Sequence, residues 1–600
     1  IAGEPFLLAA DPNMKDAVIW HPISVPTQEG DPTRNRRWVW EDWSRGMGDS
    51  RGVYRGGIED CANAYLGAPG RILPGPKVTA IAAGITGFSV TATCFQEVAA
   101  PSSRLLAGAG TKVFSVDPSN HSNDAGEAVF GAGTVLSMAL VANRVAVALG
   151  DSVKFQQRSS AGVYAENTLT GNNAYARAFG IGSDGKLVRG RSYFWSSCAE
   201  LDFYGTDGNW SAEYDLGDKS GNINQAFGHE GLDYVLKDEG LYTFVADTSE
   251  ASLVIPDLRA WKSTANRAYG FWQTWIMLCT YAGLYRYVSE GAARPVGMEA
   301  NPLNEGNLRN TYPTAFAAFG KWGYVALYDG STTYICLARR AMDGDVVPDG
   351  APVVLVSVLD SFSGQCQAMA ITALSGNPEL YYGASTAIRY FTLTRDGLPA
   401  SHLDSGTTSV TFSPAEMNAP MTWKNLRSIE AKVRNLSASR TLQWAARWDR
   451  GSFNNVGAAL TAADSGGLAE AFFTLGSNDS GRIPQLKCTL GLNSASTAPE
   501  IRSVALNYEE RPVETPGRVA AFELRDQWTL GGVSTRLSAR EQREFLEGLL
   551  DGPPVSVTDP EGRTYTARVN QYSGRPAYVY RGELPQETVN VVIRELSYSA

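Results

Sequence analysis

Between residues 105 and 391 one pattern of apolar and polar positions recurs seven times: an apolar strand, a short turn bearing Gly, Ser, Asp or Glu, and a second strand of apolar and aromatic residues. The copies read LLAGAGTKVFSV, VAVALGDSVKFQ, SYFWSSCAELDFY, DYVLKDEGLYTF, IMLCTYAGLYRY, YVALYDGSTTYIC and LYYGASTAIRYF. Aligned on the second strand, the anchors are Val113, Val153, Leu201, Leu241, Leu284, Tyr334 and Ile388. They lie about 40–54 residues apart, the spacing of β-propeller blades. A single hairpin with one apolar face is stable only against neighbours of its own kind. The pattern therefore predicts a mainly β chain with a seven-bladed β-propeller over residues 76–405.

The periodicity changes after the last copy. Over residues 406–511 strict alternation places Ile429, Ala431 and Val433 on one face, as it does Leu442, Trp444 and Trp448, then Leu486, Cys488, Leu490 and Leu492, then Val504, Leu506 and Tyr508. Strands spaced this way predict an antiparallel β-sandwich of jelly-roll kind. Residues 512–600 open on RPVETPGR and hold one clear helical stretch, AREQREFLEGLL, introduced by the capping box Ser538–Glu541 and stopped by DGPP. Strands at Val519–Leu524, in the VSVT–DPEG–RTYTARVN hairpin and at Glu587–Leu596 make this a small α+β module. Residues 1–75 form a Trp/Arg-rich opening segment, with Trp38, Trp40 and Trp43 beside Arg34, Arg36 and Arg37. Glu41 and Asp42 follow at once, so the stretch reads as an arm packed onto the propeller rather than as a nucleic-acid patch.

Composition narrows the class. The chain has 600 residues, 44% of them hydrophobic, and a net charge of −10. That length asks for several domains, and the acidic balance argues against a dedicated nucleic-acid binder. No run of 18 apolar residues predicts a membrane span. The residues after Ile1 do not read as a signal peptide. The seven cysteines are scattered without C-x-x-C and are expected to be buried and reduced.

Candidate chemistry is sparse. The four histidines, His21, His121, His229 and His402, have no metal-ligand spacing. GDSRG around Ser50 has the letters of a nucleophile elbow without its strand–turn–helix context. GIGSDGKL fits G-x-G-x-x-G through Gly180, Gly182 and Gly185, but Leu187 stands where a P-loop needs a hydroxyl, so it reads as a turn. YGTDGNW, with Asp207, Gly208 and Trp210, is a partial match to the Asp box of sialidases and occurs once. Asp202 and Asp233 do not pair in sequence as glycosidase carboxylates. Asp343, Asp345 and Asp349 read as a solvated acidic loop rather than a calcium site. No catalytic, cofactor-binding or metal-binding residue is assigned, no cofactor is expected, and the chain is not expected to be an enzyme.

The C-terminal elements carry a resemblance. MTWKNLRSIEAKVRNLSASRTLQWAARWD, IPQLKCTLGL and STAPEIRSVALNYEERP resemble the β-sandwich of minor tail proteins from tailed bacteriophages, including the exit Ala505–Leu506–Asn507–Tyr508–Glu509–Glu510–Arg511–Pro512. LSAREQREFLEGLLDGPPVSVTDPEGRTYTARV resembles their small terminal module, and EDWSRGMGDSRGVYRG is similar to the segment that precedes their propellers. The resemblance implies a structural virion protein of the tail tip or fibre, a homo-oligomer assembling with other tail proteins and displaying a propeller for host recognition. A host cell-surface glycan is then the candidate ligand; nucleic acid and membrane insertion are not expected. The alternative is a carbohydrate-binding or glycoside-hydrolysing propeller protein.

Overall fold

A computed structural model describes residues 20–595 apart from intervening stretches, the longest being 26–35, 48–57, 82–90, 167–174, 198–209, 256–267, 297–307, 341–352, 416–422 and 474–479. The protein is mainly β, with a propeller-like series of antiparallel sheets and, among the described residues, one α-helix. It divides into two compact units: residues 37–416 with 426–508, and residues 1–36 with 417–425 and 509–600.

The larger unit holds seven four-stranded sheets among the described residues. Their first strands are Cys94–Val98, Ser137–Val141, Ala178–Ile181, Ile223–His229, Ala268–Trp272, Tyr312–Phe319 and Met369–Thr372. In most sheets the repeated hairpin supplies the second and third strands, so Val113, Leu241, Leu284, Tyr334 and Ile388 all lie on third strands. Two copies depart from expectation. In the second, Val153 belongs to Gly150–Lys154, which pairs with Tyr175–Ala176, and the third and fourth strands of the sheet are Gln156–Arg158 and Tyr164–Glu166 instead. In the third, the second strand is Leu187–Arg191 and SYFW opens the third, Phe194–Ser197; Leu201 lies outside the described residues. Arg189, Gly190 and Arg191 interrupt the apolar run there and disguise the strand. Arg189 is nonetheless buried, its guanidinium bound to Glu213 Oε1 at 3.1 Å and lying 4.4 Å from the Trp210 ring centre.

Every sheet touches its successor. Thr93 Oγ1 donates to Val135 O (2.5 Å), and Ser137 Oγ donates to Phe179 O (2.9 Å). The Phe227 and Tyr269 rings stack at 3.9 Å between the fourth and fifth sheets. A Cβ on Gly270 would meet Phe316 Cδ1 at 2.7 Å, and Tyr382 OH donates to Asp360 Oδ2 at 2.6 Å. Between the third and fourth sheets, Gly180 lies so close to Ala226 that a Cβ would collide with its carbonyl. The seventh sheet touches the first: Glu379 contacts His121 Nε2 through both oxygens, at 3.0 and 3.1 Å. That seventh sheet takes its fourth strand from Thr79–Ala80, which pairs with Tyr390 and Arg389. Buried apolar side chains fill the spaces between sheets, as where Ile81, Leu105 and Phe114 meet Tyr381 and Ile388.

Two five-stranded sheets follow in the same unit. One contains Arg36–Trp40, Glu500–Arg511, Trp423–Arg434 and Leu468–Phe472; the other contains Ile58–Ala62, Gly406–Phe412, Pro484–Leu492, Arg440–Trp448 and Asn454–Leu460. The alternation read from sequence falls as expected, with Ile429, Ala431, Leu442, Trp444, Leu486, Cys488, Val504 and Leu506 buried. The opening segment does two things. Its strands Arg36–Trp40 and Ile58–Ala62 are edge strands of these two sheets, with Trp40 and Trp43 buried against Phe412, and it also packs on the sixth sheet of the propeller-like series, where Met47 N donates to Leu355 O (2.8 Å) and Val358 N to Cys61 Sγ (3.2 Å). The counter-charge of Arg37 is Glu430, at 2.8 Å; Glu41 and Asp42 lie outside the described residues.

In the smaller unit the sheet order places Trp20–Val25 beside Thr515–Leu524, then Pro585–Glu595, Thr564–Ser573 and Val555–Thr558. Helix α1, Ala539–Gly548, begins at the expected capping box: Glu541 N donates to Ser538 Oγ (3.2 Å) and Ser538 N donates to Glu541 Oε2 (2.7 Å). Leu546 enters the core with Phe522, Val557, Val569 and Ile593.

Two expectations follow from this packing. Gly180→Ala should cost about 3 kcal/mol by forcing two strands apart, read as a lowered denaturation midpoint; an unchanged midpoint would show that the strands do not approach as described. Where the chain enters and leaves the seven-sheet series, His402 Nδ1 bonds Pro74 O at 2.8 Å, and burial holds its pKa below the ordinary value, partly offset by this bond. The unfolded chain therefore takes up the proton first as the pH drops below about 6.5, and stability present at neutral pH is lost on acidification. His402→Asn, which keeps a donor but does not titrate, should flatten the melting temperature between pH 7 and pH 5 relative to the parent chain.

Candidate functional site

At the start of their first strands, five of the seven sheets share one irregularity. Thr93 N donates to Gly108 O (2.8 Å), although Gly108 already stands opposite Cys94. Leu136 N donates to Ala148 O (3.0 Å), opposite Ser137, and Arg177 N donates to Gly190 O (2.8 Å), opposite Ala178. The register slips at Asn224, between Ile223↔Lys237 and Gln225↔Leu236, and at Thr314, between Pro313↔Leu327 and Ala315↔Ala326. Each is a β-bulge, with two consecutive residues facing one partner. Such a bulge bends the strand and re-aims the extra side chain.

All five bulged residues line one small recess, with a cavity volume of about 40 Å³. Gln225, Gln365 and Gln367 complete its wall. The described lining is thus mostly neutral and polar, with Arg177 as its charged member and Leu136 its apolar one. Asn224 Nδ2 donates to Asp238 Oδ1 at 2.7 Å, which fixes the direction of that amide. Thr93 Oγ1 bonds Val135 O and, at 3.1 Å, Gly108 O, so its hydroxyl also ties the first sheet to the approach of the second.

The residues singled out in the sequence lie elsewhere. GIGSDGKL is the turn joining Ala178–Ile181 to Leu187–Arg191, closed by Gly182 N→Lys186 O (2.8 Å), with a strand and not a helix after it. Asp233 accepts from Ser183 N at 2.7 Å and so caps that turn from the next sheet; burial raises its pKa, partly countered by this bond. His121 serves the seam between the first and seventh sheets, where its ring stacks on Tyr390 at 3.9 Å and Tyr381 OH donates to Glu379 Oε2 at 2.6 Å. His229 stacks on Phe271 at 4.9 Å. His21 lies on strand Trp20–Val25 of the smaller unit. Ser50, Asp202, Asp207, Gly208, Asp343, Asp345 and Asp349 fall outside the described residues. Among the described residues no group of three His, Cys, Asp or Glu is placed to hold a metal ion.

Cys61, Cys94, Cys279, Cys336, Cys366 and Cys488 are unbridged, and Cys94 alone of these is not fully buried. Burial pushes the Cys94, Cys366 and Cys488 thiols up to about 12, so none of these three supplies a thiolate near neutral pH.

No family model matches the chain, and no curated protein sequence does. Solved structures similar to it include virginiamycin B lyase from Staphylococcus aureus, at 10% identity and a TM-score of 0.38, covering 52% of this chain and 98% of that one. U3-55K is similar at 9% identity and a TM-score of 0.40, covering 53% of this chain and 100% of its own. The RRP9 WD40 repeats are similar at 8% identity and a TM-score of 0.39, covering 53% and 98%. At these values the likeness carries nothing about chemistry.

The bonding of Thr93 makes a prediction about the rim. Thr93→Val keeps the shape but removes the donor to Val135 O and Gly108 O, and should cost about 1–2 kcal/mol in chemical denaturation. A cost near zero would mean that water replaces the hydroxyl without loss.

Proposed function

We propose that the chain is a structural component of a phage tail, a minor tail protein of the tip or fibre, built as a seven-bladed β-propeller, a β-sandwich and a small α+β end module. On this reading it assembles as a homo-oligomer with other tail proteins in the virion and presents the propeller outward. The domains run 76–405, 406–511 and 512–600, after an opening segment over 1–75. In support of seven blades, contacts pass from each four-stranded sheet to its successor and from the seventh to the first. Two five-stranded sheets with alternating buried residues support the sandwich.

The observation that carries the tail reading is the coincidence of the resembling motifs with whole elements. The exit LNYEER is the end of strand Glu500–Arg511, and the terminal motif maps onto α1 followed by the hairpin Val555–Thr558 and Thr564–Ser573. A propeller joined edge to edge leaves few free strands and serves as a rigid head. The end module carries an edge hairpin suited to pairing with a neighbouring subunit.

Deleting residues 512–600 together with 1–36, whose strand Trp20–Val25 pairs with Thr515–Leu524, should leave a soluble chain that is absent from purified particles. Particle composition by mass spectrometry, with antibody labelling in negative-stain images, reads the outcome. Incorporation of the shortened chain at normal copy number would sink the assignment of the attaching end.

A further inference from the structure

The recess gathers side chains from sheets that do not adjoin. Thr93 stands at the head of the first sheet, Asn224 in the fourth and Thr314 in the sixth, while Gln365 and Gln367 lie between the sixth sheet and the seventh. The first three have committed protons elsewhere. Thr93 Oγ1 donates to Val135 O and Gly108 O, Thr314 Oγ1 to Ala326 O at 3.4 Å, and Asn224 Nδ2 to Asp238 Oδ1. What each has left is an oxygen with lone pairs to offer. The carboxamides of Gln365 and Gln367 make no hydrogen bond to another described residue, and each can both donate and accept.

Lone pairs call for a donor, and the space calls for a very small one. The cavity volume is about 40 Å³. A buried water takes roughly 10–15 Å³ of such space and about two to four polar partners, which leaves room for about three. Ions suit the lining badly. Arg177, itself already engaged, repels a cation, and an anion would face the lone pairs; neither regains there what it loses on leaving bulk water. We infer that the recess binds a cluster of about three ordered waters. They donate to Thr93, Asn224 and Thr314 and so join the first, fourth and sixth sheets, which share no seam, while Gln365 and Gln367 complete the cluster's own bonds. No hydrogen bond joins Thr93 to Thr314 directly.

Crystals of the full chain soaked in rubidium bromide distinguish water from ions at this place. Density for waters within hydrogen-bond distance of Thr93 Oγ1, Asn224 Oδ1 and Thr314 Oγ1, without anomalous signal from either ion, is expected. A rubidium or bromide peak in the recess, or no density there, would overturn the inference. Chemical denaturation of Thr93→Val, Thr314→Val and the double variant tests the same link in solution. Each single change should lower the folding equilibrium constant. The pair should lower it about threefold less than the product of the two, because the second loss finds the cluster already broken. Thr93→Ser, which keeps the hydroxyl, should restore the full effect of Thr314→Val. Additive effects of the two valine changes, or a serine variant that behaves like the valine one, would mean that no water joins the sheets.

Discussion

Two residues, Thr79 and Ala80, tie the segment that precedes the first sheet of the series to the seventh. They pair with Tyr390 and Arg389, and Ile81 N continues the ladder to Ile388 O at 2.8 Å. A short second zipper lies beside it, with Leu403 N bonded to Gly75 O and Lys77 N to Ser401 O. So small a clasp suffices because loop-closure entropy grows only with the logarithm of loop length. Ile81, Ala92, Phe114, Tyr381 and Ile388 bury one apolar cluster across the junction, and the stacked His121 with its Glu379 partner covers it. If the junction opened, both flanking sheets would expose faces as apolar as those between any other pair.

Buried charges fix how neighbouring segments meet. Lys237 is fully buried, its ammonium bound by Leu216 O, by Asp218 O at 2.8 Å and by Glu239 Oε1 at 2.6 Å, so one side chain shapes the loop that precedes the fourth sheet. Arg189 holds Glu213 in the third sheet, and Asp360 gathers Tyr382 and Arg389 between the sixth and seventh. Among the two five-stranded sheets, Glu59 accepts from Arg447 and from Gln485. A buried ion with its partners removed is strongly destabilising, whereas the intact pair adds little net stability. These groups therefore specify one arrangement of segments more than they strengthen it.

How much of this could be read from the letters depends on the range of each interaction. Hairpins with a local turn were legible, and so were the alternating strands after residue 406, because burial on one face imposes a period of two. Helix α1 was legible because its cap is made by residues three apart, Ser538 and Glu541. The third repeat was read out of phase because a buried Arg189 looks like a solvent-facing position until Glu213 and Trp210 are seen around it. Thr79–Ala80 is too short to show a period, and its partner lies about three hundred residues on, beyond the reach of periodicity. The same distance hid the pairing of Arg36–Trp40 with Glu500–Arg511 and of Ile58–Ala62 with Gly406–Phe412.

The recess was illegible for a different reason. Its five bulged positions carry Thr, Leu, Arg, Asn and Thr, so no common letter marks them although the backbone geometry recurs. The bulge depends on hydrogen bonds to the adjacent strand and leaves the side chain unspecified, which separates the device that builds the recess from the chemistry that fills it. The close approaches that hold the sheets together, such as Gly180 against Ala226 and Gly270 against Phe316, do not involve the bulged residues themselves. Thr93 is the exception, because its hydroxyl serves both the rim and the contact with the second sheet. A scaffold divided in this way can vary much of the lining of the recess without altering the backbone geometry that builds it.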